Sequence, residues 1–314
     1  MFLLYSFFFL SLFLGFFLVG TAPDMRPFEG ELIGYTQLSK GGLVFKYFLI
    51  QMLAGLCLLM IMFLTFFSMM DKGWGQLLIL FFLSVKVGFF PGHGWVIETY
   101  GVLTFMEMFF LGIVPKLPSF FLMWMFFDGL LMMSLMVGFF SLVIGVLGGL
   151  KSTSVRHLLG LSSIMNMGWM LFALYLGLDG FFLCFLIYLV VSFTLYMSMT
   201  RWGISSYLSF TQGNNSHKIL FIIGGVFFIM LGVPVGLLFF FKLYVIMNFF
   251  PYVILVLLLF FNSISILMYV RFFWFIFFTP QMSLIFINFK TMSLTMICMF
   301  FGVLLPTLFL YFNF

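Results

Sequence analysis

The chain has 314 residues, of which 65% are hydrophobic, 23% aromatic and only 7% charged, against roughly 25% charged in an ordinary soluble domain. Its net charge of +5 is spread over connecting segments, with no Lys/Arg run of the kind that nucleic acid or a polybasic lipid patch requires, so nucleic acid is excluded as a partner. Cys57, Cys184 and Cys298 sit far apart inside apolar runs and predict no disulfide, metal site or iron–sulfur cluster.

Apolar runs recur from end to end, each about the ~20 residues that a helix needs to cross ~30 Å of hydrocarbon. Backbone groups in hydrocarbon must be satisfied internally, so these runs predict helices. The pattern gives about ten, spanning 2–20, 43–69, 75–92, 97–127, 129–149, 157–177, 179–200, 219–248, 252–277 and 288–312. The first, "MFLLYSFFFLSLFLGFFLVG", lacks a basic start and a small-residue cleavage site, and reads as a mature membrane helix and not a signal peptide. Polar stretches such as "TAPDMRPFEGELIGYTQLSKGG", "DKGWG" and "RWGISSYLSFTQGNNSHK" read as loops. No stretch is long and polar enough for a soluble domain, so residues 1–314 read as one membrane-embedded domain.

In chain order, Lys86 comes late in the third segment, and "FFPGHGWVIETY" follows with His93 and Glu98. The fourth segment is too long for one straight crossing; its "LGIVPKLPSF" brackets Lys116 between Pro115 and Pro118, with Glu107 upstream. Arg156 and His157 open the sixth segment. The eighth is again too long, and "LGVPVGLLFFFK" places Gly232, Pro234 and Gly236 shortly before Lys242. Proline withholds an amide and frees a carbonyl one turn back. Broken membrane helices commonly mark ion sites in transporters, whereas a single break beside a lysine is equally a kink with a snorkelling side chain. Two such breaks in distant parts of the chain favour a site.

A lysine at the centre of a membrane helix costs roughly 2.5 to 3.5 kcal/mol on insertion scales, so one that persists there is used or paired. Lys40, Lys46, Lys72, Lys151, Lys218 and Lys290 lie at predicted segment ends and are expected to anchor at the interface. Lys86, Lys116 and Lys242 are not so placed. A lysine shielded from water, with a movable acid partner, can alternately hold and release a proton, and the constellation predicts a proton relay. His93 could relay protons alone, but beside "PG" it is more often structural. Asp128 and Asp179 stand where segments begin and read as helix caps.

These residues resemble, in order, the motifs of the antiporter-like membrane chains of respiratory complex I. "SVKVGFFPGHGWVIETY" is similar to the family's lysine, proline–x–histidine–x–tryptophan and acidic–x–tyrosine stretch, with Lys86, Pro91, His93, Trp95, Glu98 and Tyr100 in those places. "FLGIVPKLPSF" resembles its broken-helix lysine motif, which puts Lys116 at the central lysine. "GGLKSTSVRHLLGLSSIMNMGWM" matches a stretch in which Arg156 is the basic residue, Ser162 and Ser163 are the paired serines, and Asn166 replaces the usual histidine. "FIMLGVPVGLLFFFKLYVI" resembles the second broken helix, with Lys242 as the terminal channel lysine, and "LVFKYFLIQMLAGLCLLM" an early lysine–tyrosine–phenylalanine helix. The match runs roughly from 43 to 250.

The resemblance implies an all-α polytopic membrane protein, an antiporter-like bundle of about ten transmembrane helices, two of them broken, with a shortened N-terminus. It implies proton translocation along Lys86, Lys116, Arg156 or His157, and Lys242, coupled to NADH:ubiquinone oxidoreduction by other subunits. His93, Glu98, Glu107, Ser162 and Ser163 would support that path. No cofactor is expected in this chain; flavin and iron–sulfur clusters would sit in other subunits. The implied partners are complex I membrane-arm subunits on both sides and membrane lipids, with cardiolipin a candidate, and the implied location is the mitochondrial inner membrane or, alternatively, a bacterial plasma membrane. One departure stands out. Where the family has a glutamate paired with the broken-helix lysine, this chain has Phe17, with Glu29, Glu31 and Glu107 as substitutes. That departure keeps open a scaffold with weakened pumping, and a free-standing cation/proton antiporter remains a third reading.

Overall fold

The structure, a computed structural model, describes residues 33–67, 71–126, 131–152, 154–202, 237–248 and 252–277. Among these residues the regular elements are helices: α1 (Ile33–Phe66), α2 (Lys72–Val87), α3 (Gly94–Val102), α4 (Phe105–Ile113), α5 (Lys116–Met125), α6 (Leu131–Lys151), α7 (Val155–Leu176), α8 (Leu178–Trp202), α9 (Leu237–Asn248) and α10 (Tyr252–Phe277). The all-helical, multi-pass architecture read from the sequence is present. Among the described residues, five stretches are long and apolar enough to cross a membrane: Gly41–Phe66, Phe105–Met125, Met132–Lys151, Val155–Leu176 and Leu178–Thr200. The segments expected at 2–20 and 288–312, and the stretch 219–236 with Gly232, Pro234 and Gly236, lie outside the described residues, as do Phe17, Glu29 and Glu31.

Two expected boundaries move. Helix α1 begins at Ile33, ahead of the segment expected at 43, so the end of the "QLSKGG" loop is helical. Neither Gly41 nor Gly42 stops it, since a glycine costs only about 1 kcal/mol in a helix interior. The segment expected at 97–127 divides into α3, α4 and α5. Its first division, at Leu103–Thr104, has a local cause. Thr104 and Glu107 form a capping box in which the Thr104 N–H donates to Glu107 Oε2 at 2.8 Å, so a new helix starts there.

The second division falls at Val114–Pro115, as the prolines require. Both residues keep right-handed helical dihedrals, but Pro115 and Pro118 withhold their amides from the carbonyls of Leu111 and Val114. The chain therefore continues in the same sense, and Phe105–Met125 still counts as one crossing.

The described residues fall into two compact units. The first holds α1 to α5, α6 as far as Gly145, and α7 from Arg156 to Tyr175. Helix α1 packs along α2 and α3, and α2 along α5. Outward, α1 presents Phe45, Leu53, Met60, Phe63 and Phe66, a lipid-compatible stripe. Within this unit α6 and α7 approach closely: a Cβ on Gly145 would sit 2.9 Å from the Leu161 carbonyl, and one on Gly168 would sit 2.9 Å from the Gly138 carbonyl. Small residues at such crossings let membrane helices gain packing contacts without help from water. The second unit holds the last turns of α6 with α8, α9 and α10, in which α9 packs against both α8 and α10.

Candidate functional site

In the first unit, two charged side chains are withdrawn from the surface at the ends of neighbouring helices. Lys86, 6% exposed, lies in the last turn of α2, and Lys116, 1% exposed, is the first residue of α5. The two helices pack together, and Phe89 meets Phe120 edge to face with ring centroids 5.7 Å apart. Among the described residues no carboxylate is ion-paired with Lys116. Glu107, buried on α4, has its carboxylate in the capping box at Thr104. Next to Lys116 in the chain, Pro115 O accepts from Ser119 Oγ at 3.2 Å.

The end of α2 is built with unusual completeness. Gly88, at φ 87°, turns the chain into the left-handed region, where glycine alone pays no steric penalty. The Gly88 and Phe89 amides both donate to Ser84 O. The next two carbonyls are satisfied by side chains from other elements: Trp95 Nε1 donates to Val85 O at 2.8 Å, and Gln51 Nε2 to Lys86 O at 3.1 Å. Gln51 is buried in the middle of α1. Together they fix the backbone that carries Lys86.

Other expected site residues take different places. His93 is the residue before α3, half-buried, its ring stacked 6.5 Å from Phe90; it marks the turn after the Phe90–Pro91 cis bond. Glu98 lies on an exposed face and pairs with Lys46 at 3.5 Å, both side chains more than half exposed. Arg156 sits beside the α3–α4 junction, with Nη1 3.5 Å from Gly101 O and the guanidinium 5.9 Å from the centre of the Phe105 ring. His157 is exposed, with its Nε2 close to Gly101. Ser162 and Ser163 are buried and donate to Leu159 O and Gly160 O within α7. One turn on, Asn166 is 1% exposed, and neither atom of its amide has a hydrogen-bond partner among the described residues.

The second unit contains Lys242 on α9, 1% exposed. Its ammonium donates to Asn262 Oδ1 at 2.9 Å and to Ser265 Oγ at 3.4 Å, both on α10. Ser265 Oγ in turn donates to Asn262 O at 2.7 Å. Asn262 and Ser265 were not foreseen from the sequence. The signal was there, since "FFNSISI" puts an amide and two hydroxyls inside an apolar run, but a search led by charge passes over neutral groups.

Residues 1–268 match the family described as "NADH:quinone oxidoreductase/Mrp antiporter, TM". Among curated relatives, NADH-ubiquinone oxidoreductase chain 2 of Anopheles gambiae is 34% identical over 156 residues, 48% of this chain and 45% of the relative. The chain 2 of Oryctolagus cuniculus is 30% identical over 195 residues, 56% of this chain and 53% of the relative. This chain thus spans about half the length of the curated relatives it matches. Among solved structures, a chain of respiratory complex I from Thermus thermophilus gives a TM-score of 0.72 at 19% identity, covering 96% of this chain and 71% of that one. A chain of the Mrp complex from Dietzia gives 0.70 at 16% identity, covering 86% and 56%. At such identities these likenesses bear on the fold, and the fold is that of antiporter-like membrane subunits.

Proposed function

This chain belongs to the NADH:quinone oxidoreductase/Mrp antiporter transmembrane family, and from that membership we propose that it is the chain 2-type membrane-arm subunit of respiratory complex I and that it moves protons. Its seat is the mitochondrial inner membrane, in keeping with its animal relatives. Neighbouring membrane-arm subunits are its partners, and the redox groups that oxidise NADH and reduce quinone belong to other subunits. Lys86, Lys116 and Lys242 act as proton-carrying stations, with Arg156 or His157 between them in the chain.

The observation that carries this reading is Lys116. It is 1% exposed and stands at a proline break in a crossing helix. A purely structural lysine at such a site would be costly and replaceable. In a purified complex sealed into liposomes, Lys116→Met is expected to lower the protons moved per NADH oxidised, while NADH oxidation by an artificial acceptor stays intact. Unchanged stoichiometry and rate would favour the second reading, a scaffold that holds the membrane arm without pumping. What supports that alternative is that, among the described residues, no carboxylate is ion-paired with Lys116.

A further inference from the structure

We propose that Asn262 and Ser265 are positioning residues for Lys242, and that they hold it in both its charged and its neutral form. The proposal rests on the reading of Lys242 as a proton-carrying station and adds the partners that let it work as one.

An ammonium offers three donors and no acceptor, and a carboxylate offers acceptors only. A buried lysine paired with a carboxylate is therefore satisfied in one state and leaves an unmatched carboxylate in the other. Lys242 meets an amide oxygen at 2.9 Å and a hydroxyl oxygen at 3.4 Å. Both groups can act in either direction. The Ser265 hydroxyl donates to Asn262 O at 2.7 Å while its oxygen faces the ammonium. When a Lys242 N–H bond breaks and the proton passes to a water of the path, the electron pair stays on Nζ. The Ser265 O–H can then rotate from the carbonyl to that pair, or the Asn262 amide can turn its NH₂ toward it. Neither state strands a buried polar group, which would otherwise cost about 1 to 3 kcal/mol. Ser265 is 1% exposed and sits one turn beyond Asn262, so both groups come from one face of α10 and move little between states.

The test uses the complete complex in liposomes, with assembly checked by NADH oxidation with an artificial acceptor. Asn262→Leu removes the partner, and Asn262→Asp keeps shape and acceptor but adds a charge that traps the ammonium. Both are expected to slow proton movement about ten-fold, whereas Asn262→Ser, which can still donate and accept, stays within about two-fold of the parent. A merely structural role would spare the isosteric Asp and would not be rescued by Ser. If Lys242→Met stops proton movement while Asn262→Asp and Asn262→Leu leave it unchanged, the proposal falls and the station survives. If Lys242→Met itself has no effect, both fall.

Discussion

At the scale of single residues, the buried carbonyls that end α2 show how an apolar interior enforces its accounts. Gln51 reaches across from α1, and its amide N–H donates to the Lys86 carbonyl at 3.1 Å. Gln51→Leu keeps the volume and removes the donor to that carbonyl, at a cost of about 1 to 3 kcal/mol. The expected outcome is a lower thermal midpoint of the assembled complex, with a slower quinone-linked rate because Lys86 loses its fixed backbone. An unchanged midpoint would remove Gln51 from the site. The three buried lysines were legible in the sequence because a charge in oil is conspicuous and expensive. Gln51, Asn262 and Ser265 were not, since neutral amides and hydroxyls are common in membrane helices and only contact shows which of them is used.

At the scale of elements, the broken crossing Phe105–Met125 was legible where its cause is covalent and illegible where the cause is a hydrogen bond between side chain and backbone. Pro115 and Pro118 announce their break. Thr104 and Glu107 announce theirs only as T-x-x-E, a pattern easily lost in an apolar run. The box also bears on Glu107, which in the sequence stood as a substitute acid for Lys116. Glutamine serves the third position of a capping box as well as glutamate does. Glu107→Gln is therefore expected to leave stability and protons per NADH unchanged, while Glu107→Ala weakens the helix start by about 1 kcal/mol. A pumping defect in Glu107→Gln with normal stability would return Glu107 to the proton path. Glu98 is placed likewise by contact: on an exposed face, its pair with Lys46 is worth only about 0 to 1 kcal/mol.

At the scale of the whole molecule, the two units each hold buried lysines, Lys86 and Lys116 in one and Lys242 in the other. The antiporter-like fold was legible because ordered motifs tie charge to helix breaks. The division into units was not, because the apolar run of α6 passes from one to the other without any change in composition. Family membership alone leaves a free-standing exchanger open, and assembly decides it. On native gels of solubilised membranes the chain is expected to migrate with NADH dehydrogenase activity; migration as a separate small species would overturn membership of the complex.

Helix α7 has a consequence for how the protein is made. Its crossing window is 94% buried, against 28% for that of α1, and it is the least apolar of the five crossings. Lipid is thus the natural surrounding of α1 and almost foreign to α7. A ribosome delivering the chain in order can release α1 into the bilayer at once, whereas α7 gains most by leaving the insertion machinery against helices already in place. The order in which helices emerge thus bears differently on the two.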